Sequence, residues 1–517
     1  MSDRSQSAQG AFASFWRVAP GLSLLFLAAL LWPLAAFSDL HLQDLPNHLA
    51  RAFILLHPDD ALLNQNYRVD WWIVPDLGWD LWALGLGRLL PLMWLAKLLV
   101  AVTFSLGVAG SLAMGRALTG RWTLVPLLAV PFLLNGAYFK AFLSFNLGLA
   151  LSFWAIAWWV WAPERYRLLR LAVATLFATV LYVVHFFAFG IYGLFVLGFE
   201  LQRFWETRRE RPLLHRTAAL ILDGLQAVPA LVLLLAAMGR FSSSPIAIVE
   251  REPWARFGDV SLLIESGYPW ADIAVIIGYL GILIASAARG WFGFSSKATL
   301  ALTLYFAAFL LLPDDIVITS YLPWRAALPL VFIGIASMTS TWRTPRLLLP
   351  ALLSVALAIG AAVTIVQSRS WSRSAAEKSN FLSAIASIPD GSKLFFAHSG
   401  IPQGDLVRDE DGAYHVASYA VIAKRALVQT MFVSSGQVLR FRDDAIQAAP
   451  RNSDLFLADI ADNFAAAHAD FRSHLAHFQY IVLHGEDRDL EARMFSFAKL
   501  ELIGRVADYR LYRVLHP

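Results

Sequence analysis

Asp44, His48 and Arg51 stand four and three residues apart in the stretch Ser38-Asp39-Leu40-His41-Leu42-Gln43-Asp44-Leu45-Pro46-Asn47-His48-Leu49-Ala50-Arg51. That spacing puts a carboxylate, an imidazole and a guanidinium on roughly one face of a helix. Pro46 fits the first turn of such a helix, and Asp44, two places earlier, occupies an N-cap position. The stretch directly follows the apolar run Phe15 to Phe37, which is long enough to cross a bilayer, since a span needs about 20 apolar residues. Asp59, Asp60, Asp70, Asp76 and Asp80 come next. Carboxylates crowded at a membrane border cost free energy unless they face water or bind something. A carboxylate held there can take a proton, and arginine suits phosphate through its planar fork of donors.

The elements that must position these groups are membrane spans. Of 517 residues, 58% are hydrophobic and only 15% are Asp, Glu, Lys or Arg, against about 25% in an ordinary soluble domain. Apolar runs of spanning length recur from Phe15 to Gln367 and then stop. The chain reads as a polytopic α-helical membrane protein of about 11 transmembrane helices. The first run is too long for a signal's apolar core and lacks a small-x-small cleavage site, so it reads as an anchor. The absence of cysteine excludes disulfides, thiolate catalysis and cysteine-ligated metal sites. A pI near 9.2 does not point to nucleic acid, because the arginines gather in loops on one side of the spans.

With the N-terminus in the cytoplasm, the loops holding Arg116 and Arg121, Arg165 to Arg170, Arg203 to Arg216, Arg289 and Arg343 to Arg346 all fall on the cytoplasmic side. The same rule sends the first loop (39–88), Lys140, His185, the loop with Glu250, the stretch from Asp314 to Arg325 and the C-terminal region outside. The first loop carries Trp71, Trp72, Trp79 and Trp82, and tryptophan favours the membrane–water interface. Helices lying on the bilayer surface are therefore expected in it. Residues 1–367 then form a transmembrane domain with this loop, and 368–517 a small soluble extracytoplasmic α/β domain. In the latter, Ser379 to Ile388 reads as a helix, Lys393 to Ala397 and Tyr480 to Leu483 as buried strands, and Glu501 to Val514 as a closing strand pair. It carries no phosphate loop, His-Glu-x-x-His or nucleophile elbow. His398, His415 and His484 read as surface or packing residues.

The Asp-x-Pro-x-His segment Asp44 to His48, with Asp39 and Arg51, and Tyr321-Leu322-Pro323-Trp324-Arg325 before the tenth span, together with the many spans and soluble outer domain, resemble the GT-C superfamily. These are integral-membrane glycosyltransferases that use polyprenyl-phosphate-linked sugars. The chain resembles bacterial members with a similar Asp-x-Pro-x-His loop more than the aminoarabinose and protein mannosyl transferases. Members often show two adjacent acids in this loop, whereas Asp39 and Asp44 are five apart.

The resemblance implies a transferase in a bacterial cytoplasmic membrane, taking a polyprenyl-phosphate lipid donor among its membrane lipids. It implies that a loop carboxylate acts as general base on an acceptor hydroxyl. Asp44 is the first candidate, Asp39 and His48 join it, and Asp39 and Asp44 would be the ligands if a divalent cation takes part. Charge on the departing lipid phosphate needs a fixed cation. Arg325 comes first, then Lys140 and Arg51, with His185 in its short Phe-rich turn beside them.

Plainer readings stand next to these. Asp44 is open to reading as a helix cap, Asp39 as the end of a span, His48 as an interfacial residue, Arg51 as a snorkelling side chain and Arg325 as an interfacial anchor. The rival functional class is a transporter or flippase of a lipid-linked glycan, or a non-catalytic GT-C-like protein. Transport favours polar groups at mid-membrane depth and broken helices in two related halves. The sequence shows no internal repeat of that kind.

Overall fold

The computed structural model describes residues 2–241, 248–249, 255–316, 321–398, 415–433, 437–448, 473–485, 492, 495 and 498–515. The chain divides into two compact units, one of Met1–Ala36, Ile73–Trp79 and Leu98–Gln367, the other of Phe37–Trp72, Asp80–Lys97 and Ser368–Pro517.

The first unit is helical. Among the described residues, eight helices in the whole chain are long and apolar enough to span a membrane: Phe15–Ala36, Leu92–Thr119, Leu143–Trp161, Glu164–Val184, Phe186–Arg209, Leu213–Met238, Pro269–Ala288 and Leu348–Ala384. The three other expected spans correspond to the shorter apolar helices Val125–Phe139, Ser296–Leu311 and Leu322–Ala336. Local chemistry shapes the first of these. Pro126 and Pro131 remove backbone donors, so Val125–Leu133 winds as a 3-10 helix before a short α-turn, Gly136–Phe139. Similarly, a 3-10 turn at Leu225–Ala227 interrupts the span before Val228–Phe241, next to Gly224 and Pro229.

Small residues let these helices close on one another. A Cβ added at Gly148 would lie 2.5 Å from the Ala188 Cβ, and one at Gly198 would lie 2.5 Å from the Ala301 Cα. The first and last spans also meet, with the Trp32 indole N–H donating to the Thr364 hydroxyl at 3.2 Å. Leu168, Trp205, Trp270 and Trp342 stay exposed, as side chains facing lipid would.

The second unit holds the first loop's helices Leu45–Leu56 and Ala61–Asn66, both too short to span. Asp60 caps the second by accepting from the backbone N–H of Leu62 and Leu63 at 3.0 and 3.1 Å. Strand Tyr67–Val69 pairs antiparallel with Leu439–Phe441. A five-stranded sheet runs in the spatial order Lys499–Val506, Tyr509–Leu515, Tyr480–His484, Lys393–His398, Leu427–Val428. Its middle strands Lys393–His398 and Tyr480–His484 are parallel and bury Leu394, Phe395, Phe396, Ile481, Val482 and Leu483. The strand pair around Asp508 is antiparallel.

Two expectations need correction. The last span and the helix expected at Ser379 to Ile388 are one helix, Leu348–Ala384. No Gly or Pro lies between Gln367 and Ala384, so nothing in the backbone stops the helix where the composition turns polar. The tryptophans of the first loop are also not all of one kind: Trp71 and Trp72 are exposed, but Trp79 is core.

Candidate functional site

The expected site residues fall into two groups, one in each unit. In the second unit, Asp44 heads the helix Leu45–Leu56, with Pro46 in its first turn, as the spacing predicts. Its side chain nevertheless makes no cap hydrogen bond, and its backbone lies at φ −91°, ψ 0°, not in the extended region usual for a cap. The cause is local: the Leu45 N–H donates to the Leu42 carbonyl at 3.0 Å, which tightens the chain into the helix. The carboxylate turns instead to His415, whose Nε2 lies 3.3 Å from Asp44 Oδ1. Asp44, Asn47 and His415 are all buried.

His48 lies one helical turn beyond Asp44 and is half-buried. Its ring meets Phe432 edge-on at 5.8 Å between centroids, and His415 meets the same ring at 5.3 Å. Asp39 is half-buried and accepts a hydrogen bond from the Lys378 ammonium at 2.9 Å, from the polar end of the long helix. Arg51 is buried, and its guanidinium forms an ion pair with Asp80, which is buried too. Burial raises the Asp80 carboxyl and the Arg51 charge opposes that rise, leaving it above its ordinary value. Arg51 thus serves an internal pair and does not snorkel to an interface. No three His, Asp or Glu side chains come together among the described residues in a way that could hold a metal ion. Asp39 and Asp44 each meet a nitrogen-bearing partner.

In the first unit, Lys140, His185 and Arg325 are gathered by aromatic rings. Asn135 accepts the Tyr138 N–H at 3.2 Å and so starts the short turn that Lys140 closes. The Lys140 ammonium, itself buried, lies 5.0 Å from the centre of the Tyr321 ring. Ala141 and Tyr321 both adopt left-handed backbone angles, φ 59° and 62°. Non-glycine residues rarely hold such angles, and those that do cluster at functional sites. Tyr321 opens the helix Leu322–Ala336, with Pro323 at its start. Arg325 lies one turn in and is 4% exposed, which an ordinary interfacial anchor would not be. Its guanidinium carbon sits 4.5 Å from the Phe142 ring centre and 5.1 Å from that of Phe145.

Arg325 Nη1 faces His185 Nε2 at 3.5 Å. His185 caps the helix Phe186–Glu206, its Nδ1 accepting the Phe187 N–H at 3.1 Å. That bond needs the Nδ1 lone pair, so a neutral ring carries its proton on Nε2. Burial, aided by the Arg325 charge, holds His185 well below the usual imidazole value, so the ring is neutral at ordinary pH. The group therefore offers an arginine fork, an imidazole N–H and a nearby ammonium among aromatic faces. Such donors suit a phosphate.

Sequence reasoning passed over Lys378 and the aromatic partners of Arg325, and it gave His415 and Asp80 no pairing role. His415 lies 368 positions from Asn47, beyond any spacing rule, and it is buried against Asp44 where a surface or packing role was expected. His484, read the same way, is buried beside Glu377. Glu250 and the side chain of His398 lie outside the described residues.

No protein-family model matches this sequence, and no curated protein matches it. In fold, the chain is similar to the crystal structure of ArnT from Cupriavidus metallidurans bound to undecaprenyl phosphate, with a TM-score of 0.51 and 14% identity over 98% of each chain. The apo state of the same ArnT gives a TM-score of 0.49 at 13% identity, again over 98% of each chain. ArnT is an aminoarabinose transferase of the GT-C superfamily, and the likeness of this chain to its lipid-bound form is one of fold alone.

Proposed function

We propose that this protein is a glycosyltransferase that moves a sugar from a polyprenyl-phosphate-linked donor to an acceptor hydroxyl at the outer face of a bacterial cytoplasmic membrane. The observation that carries the reading is Asp44: a buried carboxylate that caps nothing and is aimed by a side chain, within a GT-C-like fold. The similar ArnT structure holds undecaprenyl phosphate, which supports a lipid donor of that chemical class.

In the proposed reaction the acceptor oxygen bonds to the anomeric carbon as that carbon's bond to the phosphate oxygen breaks. The electron pair of the broken bond leaves with the lipid phosphate, and the hydroxyl proton passes to the Asp44 carboxylate. Asp39, held by Lys378, and His48, one turn on, assist the carboxylate. In the first unit, Arg325 and the His185 Nε2–H are donors suited to a lipid phosphate. Lys140 adds a second positive charge. Arg51, engaged by Asp80, is left out of this assignment.

The test is to incubate purified protein in nanodiscs with undecaprenyl-phosphate-linked sugars and cell-envelope acceptors, measuring release of free undecaprenyl phosphate together with sugar incorporation. Both are expected to rise together. Movement of the intact lipid-linked sugar between leaflets, with its sugar–phosphate bond uncut, would overturn the reading in favour of a flippase.

A further inference from the structure

Asp44 is joined to a polar chain that the proposed reaction does not by itself explain. Asn47 is fully buried, and its amide is tied at both ends to backbone groups. Its Oδ1 accepts the Phe432 N–H at 3.1 Å, and its Nδ2 donates to the Thr430 carbonyl at 3.1 Å. One partner is a donor and the other an acceptor, so the amide has a single allowed orientation. Nδ2 therefore also faces His415 Nδ1, at 2.8 Å, as a donor. His415 Nδ1 must then present its lone pair, and the proton of a neutral ring sits on Nε2. That nitrogen is the one 3.3 Å from Asp44 Oδ1.

We infer that His415, its tautomer set by Asn47, is a positioning residue that holds Asp44 as an oriented carboxylate through Nε2–H donation to Oδ1. The inference rests on the proposed function, in which Asp44 takes the acceptor proton. His415 is not the base itself, because Nδ1 faces the Asn47 amide and Nε2 carries the proton given to Asp44. Fixing Oδ1 sets the plane of the carboxylate and leaves Oδ2 as the oxygen whose direction matters for an acceptor hydroxyl. A base misplaced by about 1 Å costs about 10²-fold in rate, which gives such a partner a function that simple space filling would not have. The arrangement also explains why an asparagine sits within the Asp-x-Pro-x-His segment, three residues after Asp44.

The experiment compares sugar transfer by wild type, His415→Phe, His415→Gln, Asp44→Asn and the double variant Asp44→Asn/His415→Phe, each confirmed monodisperse. Phenylalanine keeps the ring packing against Phe432, and glutamine restores an amide donor. Loss of such positioning sets an expected scale of up to about 10²-fold. The expected result is a fall of that size in kcat for His415→Phe, with donor KM unchanged and partial recovery in His415→Gln. The double variant should be no slower than Asp44→Asn alone, since both changes remove one function. Wild-type kcat in His415→Phe, or a raised KM with kcat intact, overturns the inference. Should the phenylalanine variant not fold, the same split of kcat from KM in His415→Gln decides. Normal transfer by Asp44→Asn would defeat the base reading itself, whereas a dead Asp44→Asn beside a fully active His415→Phe defeats this inference alone.

Discussion

Arg325 and His185 face each other as donors: Nη1 of the arginine lies 3.5 Å from Nε2 of a ring whose Nδ1 is occupied by the Phe187 N–H. Two N–H groups turned to one place suit an oxygen that accepts from both. Hydrogen bonds to charged groups contribute about 1.5–3 kcal/mol, which is about 10–150-fold in binding. Arg325→Lys keeps the charge but loses the fork and the stacking on Phe142 and Phe145. It should lower kcat/KM for the donor by roughly that factor while the protein stays folded. A folded Arg325→Ala variant with wild-type kinetics would remove Arg325 from the phosphate site.

The Arg51–Asp80 pair leads to a prediction about stability. Removing one partner of a buried ion pair leaves an uncompensated charge and typically costs about 3–5 kcal/mol. Asp80→Leu and Arg51→Met should each lower the unfolding temperature clearly in detergent. The double variant Arg51→Met/Asp80→Leu should recover much of the loss, because no charge is then stranded. Equal, small effects from all three would show that the pair is solvated.

Acid should weaken the C-terminal region in two stages. Burial, reinforced by His477, pushes His474 down to about 4. As pH falls below its unfolded value near 6.5, the unfolded chain takes a proton that the folded chain refuses, so stability drops down to about pH 4 and then levels. For Asp443, burial acts upward, but hydrogen bonds from Lys393 and the Ile446 N–H outweigh it and hold the carboxyl at about 2. Its stabilisation is full above pH 4 and is lost as pH falls toward 2. At about 1.4 kcal/mol per pKa unit, the His474 stage is of order 3–4 kcal/mol and the Asp443 stage of order 2–3 kcal/mol. His474→Leu should abolish the first stage and Asp443→Asn the second, read from unfolding midpoints across that pH range.

Much of this fold is written in local patterns. Apolar runs place the spans, Pro46 and its neighbours place the loop helix, and the short apolar run Tyr480 to Leu483 places a core strand. The strand pair around Asp508 follows from its turn. What the sequence does not carry is long-range pairing. Nothing near Asp44 indicates that its partner is a histidine some 370 positions on, and nothing near Arg51 marks Asp80 among five nearby aspartates as the one it meets. The helix through Gln367 escaped for a different reason: polarity changes there, but no residue breaks the backbone. Residue type favours Asp44 as a helix cap, but its side chain makes no cap bond and the Leu45 N–H turns to the Leu42 carbonyl.

The most direct measurement is the rate of polyprenyl-phosphate release by Asp44→Asn against wild type, at saturating donor. The substitution is nearly isosteric, breaks no helix-cap bond and leaves an amide oxygen able to accept from His415, so the fold should persist. With Asp44 as the base, the rate should fall about 10²–10⁴-fold with the donor KM little changed. A folded Asp44→Asn protein that releases polyprenyl phosphate at the wild-type rate would contradict the account.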